Sequence, residues 1–217
     1  MSCAICETRK EKRFCPAVHG RICPQCCGTE REVTLDCPSE CPYLQQARSH
    51  EKLRSLDQLD QASLLPEVTI PEHFLYENEQ LLVGLSFALV RAARTNRAIA
   101  DRDLVAALSA LAQSYSTMVN SGLVYEVTNA NILQQAVTGE IQKILTEFRQ
   151  LEQQHLGYSR LKDSEVLRAL VFLLRMGQSR TSGRPKSRAF IDTLFAQFPD
   201  QPTVMSPEES GSRIILP

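Results

Sequence analysis

The sequence predicts a mainly α-helical protein that begins with a small cysteine-rich metal-binding module. Three observations predict it. All eight cysteines fall between Cys3 and Cys41, and none follows. From Pro42 onward, apolar residues recur at helical spacing in one segment after another. Tryptophan is absent and aromatic residues make up only 6% of the chain, which suits Leu- and Ala-rich helices better than a β-sandwich.

The segregation of the cysteines argues against their being ordinary small core residues, because the helical region has many core positions and uses cysteine at none. Their spacing is more specific. Cys3 and Cys6 form a C-x2-C pair, and Cys23 and Cys26 form another, with residues 7–22 between them. A C-x2-C turn lets two thiolates converge on one ion, and two such turns close a tetrahedron about Zn²⁺. Cys15 and His19 add a C-x3-H pair, and Cys37 and Cys41 a C-x3-C pair. The eight residues Cys3, Cys6, Cys15, His19, Cys23, Cys26, Cys37 and Cys41 are therefore the candidate metal ligands.

Three partitions are open: a cross-brace, in which Cys3, Cys6, Cys23 and Cys26 share one ion and Cys15, His19, Cys37 and Cys41 a second; a sequential pairing; and a single ion on four cysteines. Cys27 is a ninth candidate. It can replace Cys26, pack as a spare thiol, or react. Gly28 is expected to supply a positive φ after it. The order of ligand pairs over residues 1–45 resembles the treble-clef and cross-brace class of zinc fingers, which includes RING and MYND modules. That resemblance implies a structural zinc, one ion or two. An iron–sulfur cluster is the alternative cofactor, because the cysteines recur in Cys-Pro dipeptides.

Module 1–45 has few apolar residues, so the ion is expected to supply most of its folding free energy. Residues 31–37, alternating polar and apolar, predict one short strand. Pro42 suits the first position of a helix, and a connecting helix is expected through residues 42–63. The prolines and β-branched residues of 64–73 read as an extended link. A bundle of about five antiparallel helices is expected over 72–198, in segments near 72–94, 101–122, 129–155, 163–177 and 186–198. Asp101 and Asp163 are the expected caps of two of them, and Gly122 and Gly157 the expected stops. Residues 199–217 read as a disordered tail.

No phosphate loop, nucleophile elbow or paired metal motif on helices occurs, so the expectation is a non-enzymatic interaction or adaptor protein with a protein partner. Lys and Arg total 24 against 25 Asp and Glu, so no bulk basicity points to nucleic acid. Residues 156–198, however, hold 8 basic and 3 acidic side chains. Arg180, Arg184, Lys186 and Arg188 in a Gly/Ser-rich loop are candidate phosphate or nucleic-acid contacts. The longest apolar run, residues 81–90, is too short to span a bilayer, and no apolar run of signal-peptide length opens the chain. A cytoplasmic protein with no membrane partner is therefore expected.

Overall fold

Cysteine–proline pairs punctuate the N-terminal module. Pro16, Pro24 and Pro42 each open a helical segment whose preceding cysteine is the N-cap. Proline suits that position because its φ is already helical and its missing N–H has no partner to lose there. The computed structural model describes residues 1–55, 59, 61–123 and 131–199. Among these, strand β1 (Arg13–Cys15) turns through a 3-10 segment, Pro16–Val18, into β2 (Gly20–Ile22). The two strands pair antiparallel, with Arg13 opposite Ile22 and Cys15 opposite Gly20. Helix α1 (Pro24–Glu30) follows directly, and α2 (Pro42–His50) closes the module.

Three local expectations are corrected here. Residues 31–37 are a turn and not a strand: the Glu30 carbonyl accepts N–H bonds from Val33, Thr34 and Leu35, leaving one bridge between Arg31 and Leu35. Gly28 has no positive φ and lies inside α1; the left-handed residue is Glu32, at φ 54. The connecting helix ends at His50 rather than running on through 51–55. Residues 51–55 carry no helix, and Arg54 is tied to the bundle. Its N–H donates to the Ser179 carbonyl at 3.1 Å, and the Ser179 hydroxyl donates back to the Arg54 carbonyl at 3.0 Å. These tertiary bonds take the place of helical ones. Residues 56–58 and 60, where the same helix was expected to run on, lie outside the described residues, as does the expected tail apart from residue 199.

The bundle comprises α3 (Glu72–Glu77), α4 (Glu79–Thr95), α5 (Asp101–Ser121), α6 (Ile132–Leu156), α7 (Asp163–Arg180) and α8 (Ala189–Gln197). The single helix expected over 72–94 is interrupted at Asn78, whose side-chain amide donates to the Phe74 carbonyl. Helices α5 and α6 do end at Gly122 and Gly157, with φ of 71° and 79°, as a left-handed C-terminal residue requires. α6 packs against both α4 and α5, α7 against α5, and α8 against α4. Leu85, Leu89, Leu104, Leu108, Leu111, Ile141, Leu170 and Phe190 are fully buried between them. Each such side chain contributes on the order of 2 kcal/mol by leaving water.

Two capping expectations shift by one residue. Ala100, not Asp101, is the N-cap of α5, and Asp103 accepts its N–H. Asp101 instead serves α8. Its fully buried carboxylate accepts from the Ser187 hydroxyl at 2.7 Å and from the backbone N–H groups of Phe190 and Ile191, both at 3.1 Å. Burial pushes the Asp101 carboxyl above its ordinary range, and those three donors oppose the rise. Likewise Lys162, not Asp163, caps α7; Glu165 accepts the Lys162 N–H, and Asp163 pairs with Arg149 at 2.6 Å.

Candidate metal centre

The C-x2-C at Cys3 sits on a tight turn. The Glu7 N–H donates to the Cys3 carbonyl at 2.8 Å, and Glu7 takes a left-handed φ of 55°. The second pair occupies the first turn of α1, with Cys23 as N-cap and Cys26 three residues on. The β-hairpin between the pairs folds one onto the other. The sulfurs of Cys3, Cys6, Cys23 and Cys26 lie within 4.8 Å of one another. Zn–S bonds of about 2.3 Å in a tetrahedron imply sulfurs about 3.8 Å apart, so the cluster can hold a metal ion with little movement.

Backbone N–H groups point at these sulfurs. Ile5 and Cys23 donate to Cys3 at 3.5 and 3.2 Å, and Cys26 donates to Cys23 at 3.4 Å. Arg9 adds a side-chain hydrogen bond to Cys23. This donor shell suits negatively charged sulfur. Burial of Cys3 raises its pKa, but the N–H groups of Cys6, Cys23 and Ile5 outweigh burial and hold it at about 6. Cys23 is lowered, chiefly by the Cys26 N–H. Cys26 is pushed up to about 12, first by its hydrogen bond to Cys23 and then by burial. Without an ion the cluster therefore sets the readily ionised Cys3 beside the protonated Cys26, and an ion displaces the protons that remain.

The pairing of first with third cysteine pair excludes the sequential partition for this site. The other four expected ligands are placed less tightly. Cys15 and Cys41 are buried and Cys37 is half-buried. The Cys37 thiol lies within electrostatic reach of Cys15 and Cys41 and accepts the Glu32 N–H. His19 is exposed on the hairpin turn at φ 48. Among the described residues, only Cys3, Cys6, Cys23 and Cys26 reach mutual ligand distance. Cys27 is not part of that set; it is buried, with Arg13 Nη1 at 3.7 Å and Arg31 Nη2 at 3.9 Å from its sulfur.

The candidate phosphate-binding loop has other partners. Arg184 donates to the carbonyls of Gly28 and Arg31, at 3.1 and 2.6 Å. The Lys186 backbone N–H reaches the Glu32 carbonyl at 2.8 Å, and its ammonium meets the Thr34 carbonyl and Asp36 at 2.7 and 3.1 Å. Arg188 donates to the carbonyls of Arg97 and Ile99. Arg180 is exposed at the end of α7. Three of the four basic side chains thus bind carbonyls of this chain, and two of those clamp the cysteine module to the bundle.

Glu32 is the centre of that clamp. It is 1% exposed. Its carboxylate takes Arg48 Nη2 at 2.8 Å and the Ser182 hydroxyl at 3.1 Å. Arg48 also reaches Asp192 on α8 at 2.5 Å, and the Ser39 hydroxyl donates to the same carboxylate at 2.8 Å. Sequence reasoning missed Glu32, Arg48 and Arg9. Each is an unremarkable charged residue in sequence, and only the fold gives it a partner.

Comparison with known proteins returned no matching family model, no matching curated protein and no matching solved structure. What the fold and site define is therefore a class: a mainly helical protein with an N-terminal four-cysteine cluster able to hold a metal ion. Among the described residues no helix is long and apolar enough to cross a membrane.

Proposed function

We propose that this is a non-enzymatic zinc-binding adaptor: a treble-clef-like module, folded by a structural Zn²⁺ on Cys3, Cys6, Cys23 and Cys26, rigidly seated on a helical partner-binding bundle. The observation that carries it is the cluster itself. Four protein sulfurs fill a tetrahedral ion, and a catalytic zinc needs an open position for water or substrate. A C-x2-C turn, a hairpin and a helix whose first turn supplies two more ligands is the arrangement of the treble-clef class. The thiolate-stabilising donors favour zinc over a harder cation, and four Cys on one mononuclear-sized cluster favour it over the iron–sulfur alternative. Reduced thiols of this kind fit the cytoplasm.

A protein partner is the reading for the bundle. Leu151, Leu156 and Tyr158 are exposed around the C-terminal end of α6 and offer apolar area to such a surface. The nucleic-acid alternative has less to stand on, because Arg184, Lys186 and Arg188 already bind backbone carbonyls. The test is affinity capture with the full-length zinc-loaded chain, with and without nuclease, then reconstitution of the captured species from purified components. A stoichiometric protein complex that survives nuclease is expected. Captured material that vanishes on nuclease treatment, or substrate turnover by the purified protein, overturns the reading.

A further inference from the structure

We propose that the module holds a second structural zinc, and that its four ligands are the thiolates of Cys15, Cys27, Cys37 and Cys41, with His19 taking no part. The proposal rests on the zinc reading of the first cluster and deepens it.

Helix geometry separates Cys26 from Cys27. Consecutive helical residues point about 100° apart, so the two cannot serve one ion. Cys26 joins the first cluster, and Cys27 is not among the sulfurs within reach of one another there. It is buried in the small core that also holds Cys15 and three cysteines of the first cluster, with Cys37 packed against that core. Cys41 is buried as the N-cap of α2. The thiols of Cys15 and Cys41 are the sulfur neighbours of Cys37. All eight cysteines are free, so once the first cluster has taken its four, four thiols remain for a second ion in a module only some forty residues long.

The surroundings repeat those of the first cluster. There, Arg9 bonds a ligand sulfur and backbone N–H groups point at others. Here, the guanidinium groups of Arg13 and Arg31 both face the Cys27 sulfur, and the Glu32 N–H points at Cys37. Loading converts Zn²⁺ and four thiols into a tetrathiolate of charge −2 and releases four protons. Two arginines beside one sulfur offset that charge. His19 fits poorly. Its imidazole is exposed at the tip of the hairpin turn, and its left-handed φ is fixed by the turn from Pro16, while the four thiols are buried or half-buried. The four sulfurs stand farther apart than those of the first cluster, so binding an ion there requires them to move together.

The test is metal content by mass spectrometry on the full chain purified without added metal, together with Co²⁺ substitution. Wild type should carry two equivalents. Cys27→Ser and Cys15→Ser should each fall to one, and His19→Ala should keep two. Cys23→Ser should also fall to one. The Co²⁺ spectrum should show two sulfur-only tetrahedral sites, unchanged by His19→Ala. One equivalent in wild type, lost in Cys23→Ser and kept in Cys27→Ser, overturns the second site and leaves the first intact. No metal in wild type overturns the zinc reading itself. Loss of one equivalent in His19→Ala overturns the ligand assignment. Should Cys27→Ser fail to fold, the wild-type and His19→Ala stoichiometries and spectra decide the matter without it.

Discussion

Replacing Glu32 by alanine removes the centre of the joint between module and bundle. The carboxylate accepts one charge-assisted bond from Arg48 and one from the Ser182 hydroxyl. Bonds to charged groups are each worth about 1.5–3 kcal/mol, and a hydroxyl left without a partner costs about 1 kcal/mol more. Breaking a buried ion pair from one side commonly costs about 3–5 kcal/mol. The lower end applies here, because Arg48 keeps Asp192 and its side chain is 19% exposed. Glu32→Ala should therefore cost about 3 kcal/mol. Arg48→Met should cost a similar amount and leave Glu32, the more deeply buried partner, with the Ser182 hydroxyl but no cation. The assay is a double-mutant cycle by urea denaturation on the zinc-loaded chain, with limited proteolysis reporting release of the module. A coupling energy of about 2 kcal/mol is expected. A coupling below about 0.5 kcal/mol would refute the reasoning, since it would mean that the pair behaves as a solvent-screened surface contact. Glu32→Gly separates charge from strain: it relieves a left-handed φ of 54°, worth about 1 kcal/mol, so it should be less damaging than Glu32→Ala.

Stripping the metal with a strong chelator should unfold residues 1–41 while leaving most helical signal, since an ion of this type supplies on the order of 10 kcal/mol to its module; hydrogen exchange resolved by peptide checks it, and unchanged protection of the module refutes it. Zinc affinity should fall with acidification. With Cys3 at about 6 in the ion-free protein and Cys26 at about 12, binding at pH 7 displaces the Cys26 proton but none from Cys3. As pH drops through about 6, Cys3 also takes a proton, and the slope of log affinity against pH should steepen by about one unit. Competition titrations from pH 5 to 8 measure it. Gly177→Ala should destabilise by about 1–3 kcal/mol, because an added Cβ would stand 2.9 Å from the buried ring of Phe190; thermal melting reads this out. Asp101→Ala should cost about 3 kcal/mol by leaving the Ser187 hydroxyl and two α8 N–H groups unpaired.

The four-cysteine cluster was legible because ligand spacing is a local property. Two C-x2-C turns sixteen residues apart need only a reversal between them to meet, and the hairpin supplies it. Helix existence was legible for the same reason: the Leu104, Leu108 and Leu111 stripe shares one face, and all three are buried. The ends were less so. Helix α2 stops after His50 without any glycine or proline to mark it, because Arg54 finds backbone partners at Ser179, far along the chain. The turn at 31–37 looked like a strand because side-chain alternation carries no record of the Glu30 carbonyl that gathers three N–H groups. Asp101 illustrates the same limit. Its position before an apolar run suggested a cap for its own helix, and it caps a helix nearly ninety residues later. Arg184 and Lys186 read as candidate phosphate contacts because the carbonyls they bind belong to the opposite end of the sequence.

That last pairing has a consequence for synthesis. The bonds joining module to bundle link residues 28–48 with residues 182–192. On the ribosome, the thiols emerge first and can capture their ion while the seat they will occupy is still untranslated. A nascent chain that binds an ion there holds it in an unanchored module until residues 182–192 appear, and truncation before Ser182 leaves that module tethered but without these bonds.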